Sequence, residues 1–286
     1  MSEFWHSAVM PQVESRRSCQ EVACYRPHTH ERFSIGLIDA GTTTFTGAAG
    51  EPIPLAAGDV VLIPAGHVHA CNPERGRWEY QMIQADQEWV AGLLPDGPDA
   101  GTPGPGVPGP GVPGPGVPGP GVPGGFLTGI TVFRNLGLHH RLSTVNDLLF
   151  TATDSERVAA AFRRVLRECA MLRPHRRVAP TTDADLAARM GPVLDRLRHD
   201  ESNPPLAELG ELVGMGRYQL IRAMKRATGL PPVAWRQNHR VIAARTMLRD
   251  GRSPAETAHA LGFSDQSHFH RVFRAHVAAS PGAYRR

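Results

Sequence analysis

The sequence predicts a two-domain α+β protein, with a β-rich N-terminal part and an all-α C-terminal part. Three observations lead to this prediction. Short apolar stretches separated by turn residues occupy the first hundred positions, apolar residues recur at helical spacing from position 130 onward, and one short pattern occurs twice after position 200. The length of 286 residues is sufficient for two domains.

The predicted β-domain spans residues 1–100. Its apolar stretches at residues 33–38, 60–63 and 78–83 have the length of strands, and turn residues such as Gly58-Asp59 separate them. Closely spaced strands with turns of this kind are typical of a small barrel or sandwich.

A glycine- and proline-rich segment follows at residues 101–125. The sequence Gly-Val-Pro-Gly-Pro begins at Gly106 and recurs at Gly111 and Gly116, so its period is five residues rather than the three of collagen. Proline removes backbone donors, and glycine loses much conformational entropy when it is ordered. We therefore predict a flexible loop that forms no core.

Residues 126–180 are predicted to be a helical extension of the β-domain. Apolar side chains mark one helical face at Leu136, Leu138, Leu142, Val145, Leu148 and Leu149, and another, with spacings of three and four, at Val158, Phe162, Val165, Leu166 and Cys169. Two roles stay open for these helices. They could form a dimer interface between two chains, or a helical cap that packs on the β-domain.

The distribution of charge separates the two halves of the chain. Residues 201–286 contain 13 Lys and Arg and 6 Asp and Glu, a net charge of +7, whereas residues 1–200 carry a net charge of −3. A basic domain beside a mildly acidic one indicates that the basic half faces phosphate groups.

The cysteines and the apolar runs exclude several protein classes. Cys19, Cys24, Cys71 and Cys169 have neither the number nor the spacing of a disulfide scaffold in a chain of this length. The N-terminal residues lack the apolar core of a signal peptide, and no run of about 18 apolar residues predicts a membrane span. We expect reduced thiols in a cytoplasmic protein.

The repeated pattern lies in the predicted C-terminal domain, residues 183–286. Ala207-Glu208-Leu209 precedes Gly214-Met215, and Ala255-Glu256-Thr257 precedes Gly262-Phe263. Helices are predicted at 206–213, 217–228, 232–249, 254–261 and 265–277, after an amphipathic helix at 186–197. Two helix-turn-helix units in tandem are an architecture that binds DNA.

The second helix of each unit has an apolar back and a polar front. The apolar backs are Leu220, Ala223 and Met224 in the first unit, and Phe269, Val272 and Phe273 in the second. The polar fronts, which we predict to bind DNA, are Tyr218, Ile221, Arg222 and Lys225, and Gln266, Ser267, His270, Arg271 and Arg274. Arginine can bind guanine with two hydrogen bonds in the major groove, and the other polar groups can contact phosphates or bases.

Residues 206–286 resemble the DNA-binding domain of the AraC/XylS transcription regulators. The resemblance is carried by Gly262-Phe-Ser-Asp-Gln-Ser-His-Phe-His-Arg-Val-Phe-Arg274, followed by Ser280-Pro281. The first unit departs from the family pattern at Gly216, where serine is frequent, and at Ala223, which is smaller than usual. The resemblance implies two recognition helices on a stiff connecting helix, and a regulator that activates promoters through RNA polymerase.

The N-terminal half resembles the cupin-like β-barrel effector domain of the same family. His28-Thr-His30 and the later His69 match three of the four metal ligands of cupin enzymes. The fourth, a glutamate, is missing, because Glu31 adjoins His30 and would point to the opposite face of a strand. We expect the three histidines to contact a small-molecule effector and expect neither a metal nor a resident cofactor. A three-histidine metal site and a purely structural role stay open.

The expected function is therefore that of an effector-responsive transcription activator, without enzymatic activity. The expected partners are promoter DNA, a small-molecule effector, RNA polymerase and a second copy of the chain. Two other classes stay open: a metal-dependent cupin enzyme fused to a DNA-binding domain, and a DNA-binding protein that needs no ligand. No catalytic triad and no phosphate-binding glycine loop is indicated by the spacing of the residues.

Overall fold

A computed structural model describes residues 2–20, 25–47, 51–73, 76–94, 125–151, 154–178, 183–200 and 202–285. A β-rich N-terminal domain is followed by an all-helical C-terminal domain, as the sequence predicts. The repeats at 101–124 lie outside the described residues, so the flexible loop stays a prediction. Gly125 begins a short 3-10 helix, Gly125–Leu127.

The N-terminal domain is built from two antiparallel sheets. Its strands are β1 (Ser2–His6), β2 (Val13–Gln20), β3 (Phe33–Ala40), β4 (Thr42–Gly47), β5 (Ile53–Ala56), β6 (Asp59–Ile63), β7 (His69–Pro73), β8 (Trp78–Ala85), β9 (Ile130–Arg134) and β10 (Arg176–Val178). The larger sheet has the order β1-β2-β8-β3-β6-β9-β10, and the smaller one β5-β4-β7. The predicted strands at 33–38, 60–63 and 78–83 lie within β3, β6 and β8, each of which is one or two residues longer.

An apolar core fills the space between the two sheets. Phe45 and Leu55 of the smaller sheet pack with Val61, Trp78 and Val132 of the larger one. Over the described residues the two sheets do not close into a barrel, so the expected cupin-like domain has the form of an open sandwich.

The segment 126–180 is helical only in its middle. β9 pairs with β6, and β10 pairs with β9, so both ends of the segment extend the larger sheet. The prediction of a helical extension is wrong at these ends. The residues of β9 form a short apolar run, and such a run cannot be distinguished from the start of a buried helix by periodicity alone.

Two helices between β9 and β10 pack on the outer face of the larger sheet. They are α2 (Leu136–Thr151) and α3 (Ser155–Met171), and they follow the short α1 (Gln87–Gly92). Leu142 and Phe162 lie in one core with Phe33 and Val60 of the sheet. The helices therefore form a cap on the β-domain, which accounts for most of their predicted apolar residues, whereas Leu136 stays 60% exposed.

The C-terminal domain consists of helices only, over the residues that are described. They are α4 (Ala184–Arg189), α5 (Gly191–His199), α6 (Leu206–Glu211), α7 (Arg217–Thr228), α8 (Pro232–Arg249), α9 (Pro254–Ala260), α10 (Gln266–Val277) and α11 (Pro281–Arg285). The amphipathic helix predicted at 186–197 is divided at Met190 into α4 and α5. Pro192 explains the break, because it lacks the N–H donor that a continuous helix would need at this position and is tolerated only in the first turn of a helix.

The two helix-turn-helix units have the same turn and separate cores. Gly214 and Gly262 have φ values of +66° and +64°, a left-handed conformation that glycine adopts without strain. Leu220 and Met224 pack in the core of the first unit, and Phe269 packs in that of the second. The helix α8 joins the two units, as predicted for the tandem arrangement.

Three of the four cysteines lie among the described residues. No disulfide joins Cys19, Cys71 and Cys169, and Cys24 lies outside the described residues. Burial raises the pKa of the Cys71 thiol to about 11 and that of Cys169 to about 12. No described helix is long and apolar enough to cross a bilayer.

Candidate DNA-binding face and effector cavity

The polar front of α7 faces solvent. Tyr218 is 83% exposed, Arg222 and Lys225 are also exposed, and Ile221 is half-buried. Leu220, Ala223 and Met224, on the apolar back of the same helix, are buried. The helix therefore presents the predicted residues outward from a packed core.

The polar front of α10 has the same arrangement. Gln266, Ser267, Arg271 and Arg274 are exposed, and His270 is half-buried. The helix begins at a side-chain cap, in which Asp265 accepts a hydrogen bond of 2.7 Å from the backbone N–H of His268. In α7 the residue at the N-terminal cap is Gly216, which has no side chain to accept such a bond. The backbone N–H of Gly216 instead donates to the Gln219 side chain at 2.9 Å.

The two domains are joined by a buried ion-pair cluster around Glu14 of β2. Its carboxylate pairs with Arg245 and Arg249 of α8 and accepts a hydrogen bond of 3.2 Å from the Tyr284 hydroxyl of α11. Burial alone would raise the pKa of the Glu14 carboxyl, but the two guanidinium groups outweigh it and hold the pKa below its ordinary value. The cluster therefore keeps Glu14 ionised at the domain interface.

The last turn of α10 is completed by the N-terminal domain. Arg16 donates to the carbonyl of Val277, Gln20 donates to that of Ala278 at 3.3 Å, and the N–H of Arg26 donates to that of Ala275 at 3.2 Å. The last carbonyls of a helix have no partner within the helix. The N-terminal domain supplies these partners for the helix that carries Arg271.

The connecting helix α8 has its own contact with the N-terminal domain. The N–H of Thr29 donates to Oδ1 of Asn238 at 3.0 Å, and Nδ2 of Asn238 donates to the Thr29 hydroxyl at 2.7 Å. Thr29 lies between His28 and His30. The segment that carries these two histidines is therefore docked on the C-terminal domain.

A cavity lies between the sheets, and the C-terminal domain forms part of its wall. The N-terminal part of its wall includes Phe45, Trp78, Tyr80 and the three predicted histidines, and the C-terminal part includes Asn238, Val241, Ile242, Arg245, His276 and Tyr284. Its volume is about 90 Å³. Because a cavity of about 10–15 Å³ by this measure already holds one water, this cavity has room for several waters or for one small molecule.

The predicted histidines form one cluster at this cavity. Their ring centroids lie 4.5 to 4.9 Å apart, and one ring nitrogen of each of His28, His30 and His69 is within 4.8 Å of the other two. Burial and the neighbouring imidazoles lower the pKa of His28 and of His30, and burial lowers that of His69 to about 4. The cluster is therefore neutral at pH 7.

The hydrogen bonds of the cluster match the requirements of metal-binding histidines. Nδ1 of His28 donates to the Arg26 carbonyl at 2.8 Å, and Nδ1 of His69 donates to the His67 carbonyl at 3.0 Å. Nε2 of His69 has no hydrogen-bond partner among the described residues. A nitrogen lone pair that is buried without a partner fits a metal ion, and the donor set of neutral imidazoles suits zinc and its neighbours.

Among the described residues no carboxylate joins the three histidines, and the position where a glutamate was expected holds a different side chain. Glu31 is exposed, away from the cluster, as the sequence predicts. Ser34, which occupies a position where that glutamate was sought, is buried and its hydroxyl lies 2.8 Å from Nδ1 of His30. Ser34 therefore orients a histidine and does not replace the carboxylate.

Several residues of the interface were not found by sequence reasoning. Glu14 and Arg16 lie in a strand with little apolar alternation, and their partners in α8, α10 and α11 are more than 200 positions away. Tyr284 belongs to the stretch that resembles the AraC/XylS regulators, but it was not assigned a role. His276, on the buried side of α10, could have been noticed as a polar residue at an apolar position.

Two family models match the chain. The model described as an AraC-like ligand binding domain matches residues 11–114, and the model described as a helix-turn-helix domain matches residues 209–286. The first match includes the three histidines, and the second includes both polar helix fronts.

Curated relatives are transcription regulators. The HTH-type transcriptional regulator YbfI of Bacillus subtilis is 36% identical over 70 residues, which are 24% of this chain and 26% of that protein. The arabinose operon regulatory protein of Salmonella typhimurium is 24% identical over 250 residues, 82% of this chain and 77% of that protein. The transcriptional activator NphR of Rhodococcus sp is 32% identical over 112 residues, 37% of this chain and 33% of that protein. The chain thus spans about a quarter of the first of these relatives and about a third of the last.

Solved structures of ToxT from Vibrio cholerae have the same fold. One superposes with a TM-score of 0.53 at 12% identity and covers 96% of this chain and 97% of ToxT. A structure of unsaturated fatty acid bound ToxT superposes with a TM-score of 0.53 at 10% identity and covers 96% and 94%. This similarity extends over both domains.

Proposed function

Since the chain belongs to the AraC family of transcriptional regulators, we propose that it activates transcription in response to a small-molecule effector. One observation carries the proposal: side chains of the helical domain form part of the wall of the cavity in the sensor domain. A molecule in this cavity contacts both domains at once. Its affinity therefore depends on how they are docked, which is the condition for an effector to shift a conformational equilibrium.

The DNA-binding part of the proposal assigns α7 and α10 to the major groove. Their exposed fronts carry arginines, a tyrosine and a glutamine, which can read base edges and contact phosphates. Recognition helices on one DNA face enter grooves about 34 Å apart, one helical turn. The rigid α8 between the two units would set this separation.

The docking contacts suggest how the effector acts on DNA binding. The N-terminal domain touches α8, which joins the two units, and the last turn of α10, which carries Arg271. The exposed fronts of both recognition helices remain uncovered in this arrangement. An effector that changes docking would therefore change the relative position of the helices and not their access to DNA.

The role of a transcription activator also suggests two further partners and a cellular location. Relatives named as an operon regulatory protein and a transcriptional activator support contact with RNA polymerase at a promoter. A second copy of the chain is proposed as a partner, and the exposed Leu136 and Met171 offer apolar surface for it. We propose that a regulator of this kind acts in the cytoplasm and needs no catalytic activity of its own.

The test begins with the selection of bound sequences from a pool of random DNA by the full-length protein. Arg271→Ala is then compared with wild type by fluorescence anisotropy on the selected site. We expect a loss of about 1–3 kcal/mol in binding free energy and weaker sequence preference if Arg271 binds a base. Arg164→Ala, an exposed arginine of α3 in the N-terminal domain, is the matched control and should bind as wild type does.

Two results would contradict the proposal. Selection of no sequence would show that the helical domain does not read DNA specifically. A screen in which no metabolite changes either the melting temperature or the affinity for the selected site would favour a DNA-binding protein that needs no ligand.

A further inference from the structure

We propose that His28, His30 and His69 bind one divalent transition-metal ion, and that the bound ion strengthens the docking of the sensor domain on α8 and α10. This inference rests on the proposed function, because it names what the regulator binds beside its cavity. It departs from the expectation of no metal, which depended on the missing glutamate.

The ring nitrogens of the cluster are arranged with their lone pairs toward one another. His28 and His69 use Nδ1 to donate to backbone carbonyls, so the neutral form of each ring has its lone pair on Nε2. Nε2 of His28 lies 3.1 Å from Nε2 of His30, whereas Nε2 of His69 has no partner among the residues described. A proton shared by His28 and His30 satisfies two of the rings, and the lone pair of the third, on Nε2 of His69, has no donor among the described residues and can bind a cation.

The Ser34 hydroxyl allows the neutral ring of His30 to carry its proton on either nitrogen, Nδ1 or Nε2. Its hydroxyl lies 2.8 Å from Nδ1 of His30 and 3.3 Å from the Arg32 carbonyl, and it also accepts from Gln84 at 3.2 Å. The hydroxyl can therefore donate to the carbonyl and accept from Nδ1 of His30. In that state the lone pair of His30 is on Nε2, which is the requirement for a metal ligand oriented by its other ring nitrogen.

The distances fit a small transition-metal ion. Metal–nitrogen bonds of about 2.0–2.1 Å at tetrahedral angles place two ligand nitrogens about 3.3 Å apart. The His28–His30 separation is 3.1 Å, and the other separations are at most 4.8 Å, so binding of an ion would require the rings to move closer by no more than about 1.5 Å. Three imidazoles suit zinc, nickel, cobalt or iron and not calcium or magnesium, which prefer oxygen ligands.

The proposed ligands lie where the two domains meet. His28 and His30 flank Thr29, which exchanges two hydrogen bonds with Asn238 of α8. Arg26 contacts both sides of the interface. Its carbonyl accepts from Nδ1 of His28, and its N–H donates to the Ala275 carbonyl of α10. His69 belongs to the smaller sheet, so one ion would bind the docking segment to the body of the sensor.

A histidine of the recognition helix lies beside the cluster. The ring centroid of His276 is 6.4 Å from that of His28, and Nδ1 of His276 donates to the Val272 carbonyl at 2.8 Å. Its Nε2 therefore carries a lone pair on the wall of the same cavity. A charge at the three-histidine site acts directly on the C-terminal end of α10, where the carbonyl dipoles favour a cation.

The metal-binding test uses full-length protein that has been treated with EDTA and dialysed. It is titrated with Co²⁺ and followed by visible absorption, and bound Co²⁺ is then displaced with Zn²⁺. We expect one Co²⁺ per chain, with the strong d–d absorption of a site of low coordination number. His30→Ala and His69→Ala should lose this absorption.

A neighbouring histidine supplies the matched control. His67 lies two positions from His69 and contacts the Ala65 carbonyl, outside the cluster, so His67→Ala should retain the Co²⁺ spectrum. Circular dichroism checks the fold of each variant, and His30→Gln replaces any alanine variant that does not fold. Binding of no stoichiometric Co²⁺ by the wild type, or binding that survives in the cluster variants, would overturn the metal site.

Hydrogen exchange tests the effect of the metal on docking. The amides of Arg26 and Thr29 donate across the domain interface. If the ion binds only the docked state, their exchange should slow by about 100-fold at a free Zn²⁺ concentration 100 times its dissociation constant. Unchanged exchange at these amides in the zinc-loaded protein would overturn the coupling.

The inference and the proposed function can fail separately. A protein that binds no metal but selects a DNA sequence would refute only the metal site. A protein that binds Co²⁺ through the three histidines but selects no DNA would refute the proposed function and leave the site in place.

Discussion

Replacement of Glu14 by glutamine is the sharpest test of the domain interface. The Glu14 side chain is 10% exposed, and those of its partners Arg245 and Arg249 are 16% and 22% exposed. Removal of one member of a buried ion pair costs about 3–5 kcal/mol, because the remaining charge loses its partner in a place with little water. Gln84 still accepts a hydrogen bond from Arg245, so we expect a value near the lower limit.

The loss of the Glu14 ion pair should make separation of the two domains easier. About 3 kcal/mol corresponds to roughly a 100-fold increase in the population with separated domains, at 1.4 kcal/mol for each factor of ten. The N–H of Arg26 reports on this state, because it donates to the Ala275 carbonyl across the interface. Its exchange, measured in metal-free protein, should be about 100-fold faster in Glu14→Gln than in wild type.

A second glutamate provides the control for this experiment. Glu79 pairs with Arg77 on the surface of the N-terminal domain, with side chains 37% and 64% exposed. Exposed pairs contribute only about 0–1 kcal/mol, so Glu79→Gln should leave the exchange of Arg26 nearly unchanged. A double-mutant cycle of Glu14→Gln with Arg245→Met should give a clear coupling energy. If Glu14→Gln and Glu79→Gln behave alike, or if the cycle gives no coupling, the ion pair does not hold the domains together.

Three further predictions concern the core, the repeats and the dependence on pH. Phe273→Ala should destabilise the second helix-turn-helix unit by about 3–5 kcal/mol, since Phe273 is fully buried; an unaltered melting curve would show that its core is elsewhere. Deletion of 103–124 should leave the affinity for the selected DNA within a few fold, because the entropy of loop closure changes slowly with loop length; a loss of binding would assign the repeats a partner or a spacing role. The pKa of His69 is about 4 in the folded protein, against about 6.5 when unfolded, so the unfolded state binds more protons between these values. The free energy of unfolding of metal-free protein should therefore be fully retained above pH 6.5 and fall by about 3 kcal/mol from this group as the pH decreases to 4. Urea titrations at pH 7 and pH 5 measure this, and His69→Asn should show a shallower decrease.

The helices of the two helix-turn-helix units and the connecting α8 could be predicted to within one or two residues, because their signals are local, whereas the short α11 was not predicted. Apolar residues at helical spacing and the turn glycines Gly214 and Gly262 are sufficient to place α7, α8 and α10. The division at Met190 was missed, although the proline two positions later gives its physical reason.

The sheet was predicted only where its strands are apolar. β2 has Glu14 and Ser15 among its buried residues, and their partners come from α8 and from Asn146 of α2. A buried polar residue is satisfied by groups that sequence spacing does not reveal. The same reason explains why the three histidines could be grouped by resemblance to a family while their contacts with α8 and α10 could not.

The position of β9 and β10 in the sheet has a consequence for synthesis of the chain. The larger sheet needs Arg176–Val178, so the sensor domain is complete only when these residues have left the ribosome. Domains generally fold in order from the N-terminus during translation. The sensor, which carries Glu14, can therefore be finished before Arg245 is synthesised, and the DNA-reading domain then folds beside a surface that already exists. A truncated chain that ends before residue 176 would lack an edge of this sheet, and we expect it to accumulate as an aggregation-prone fragment.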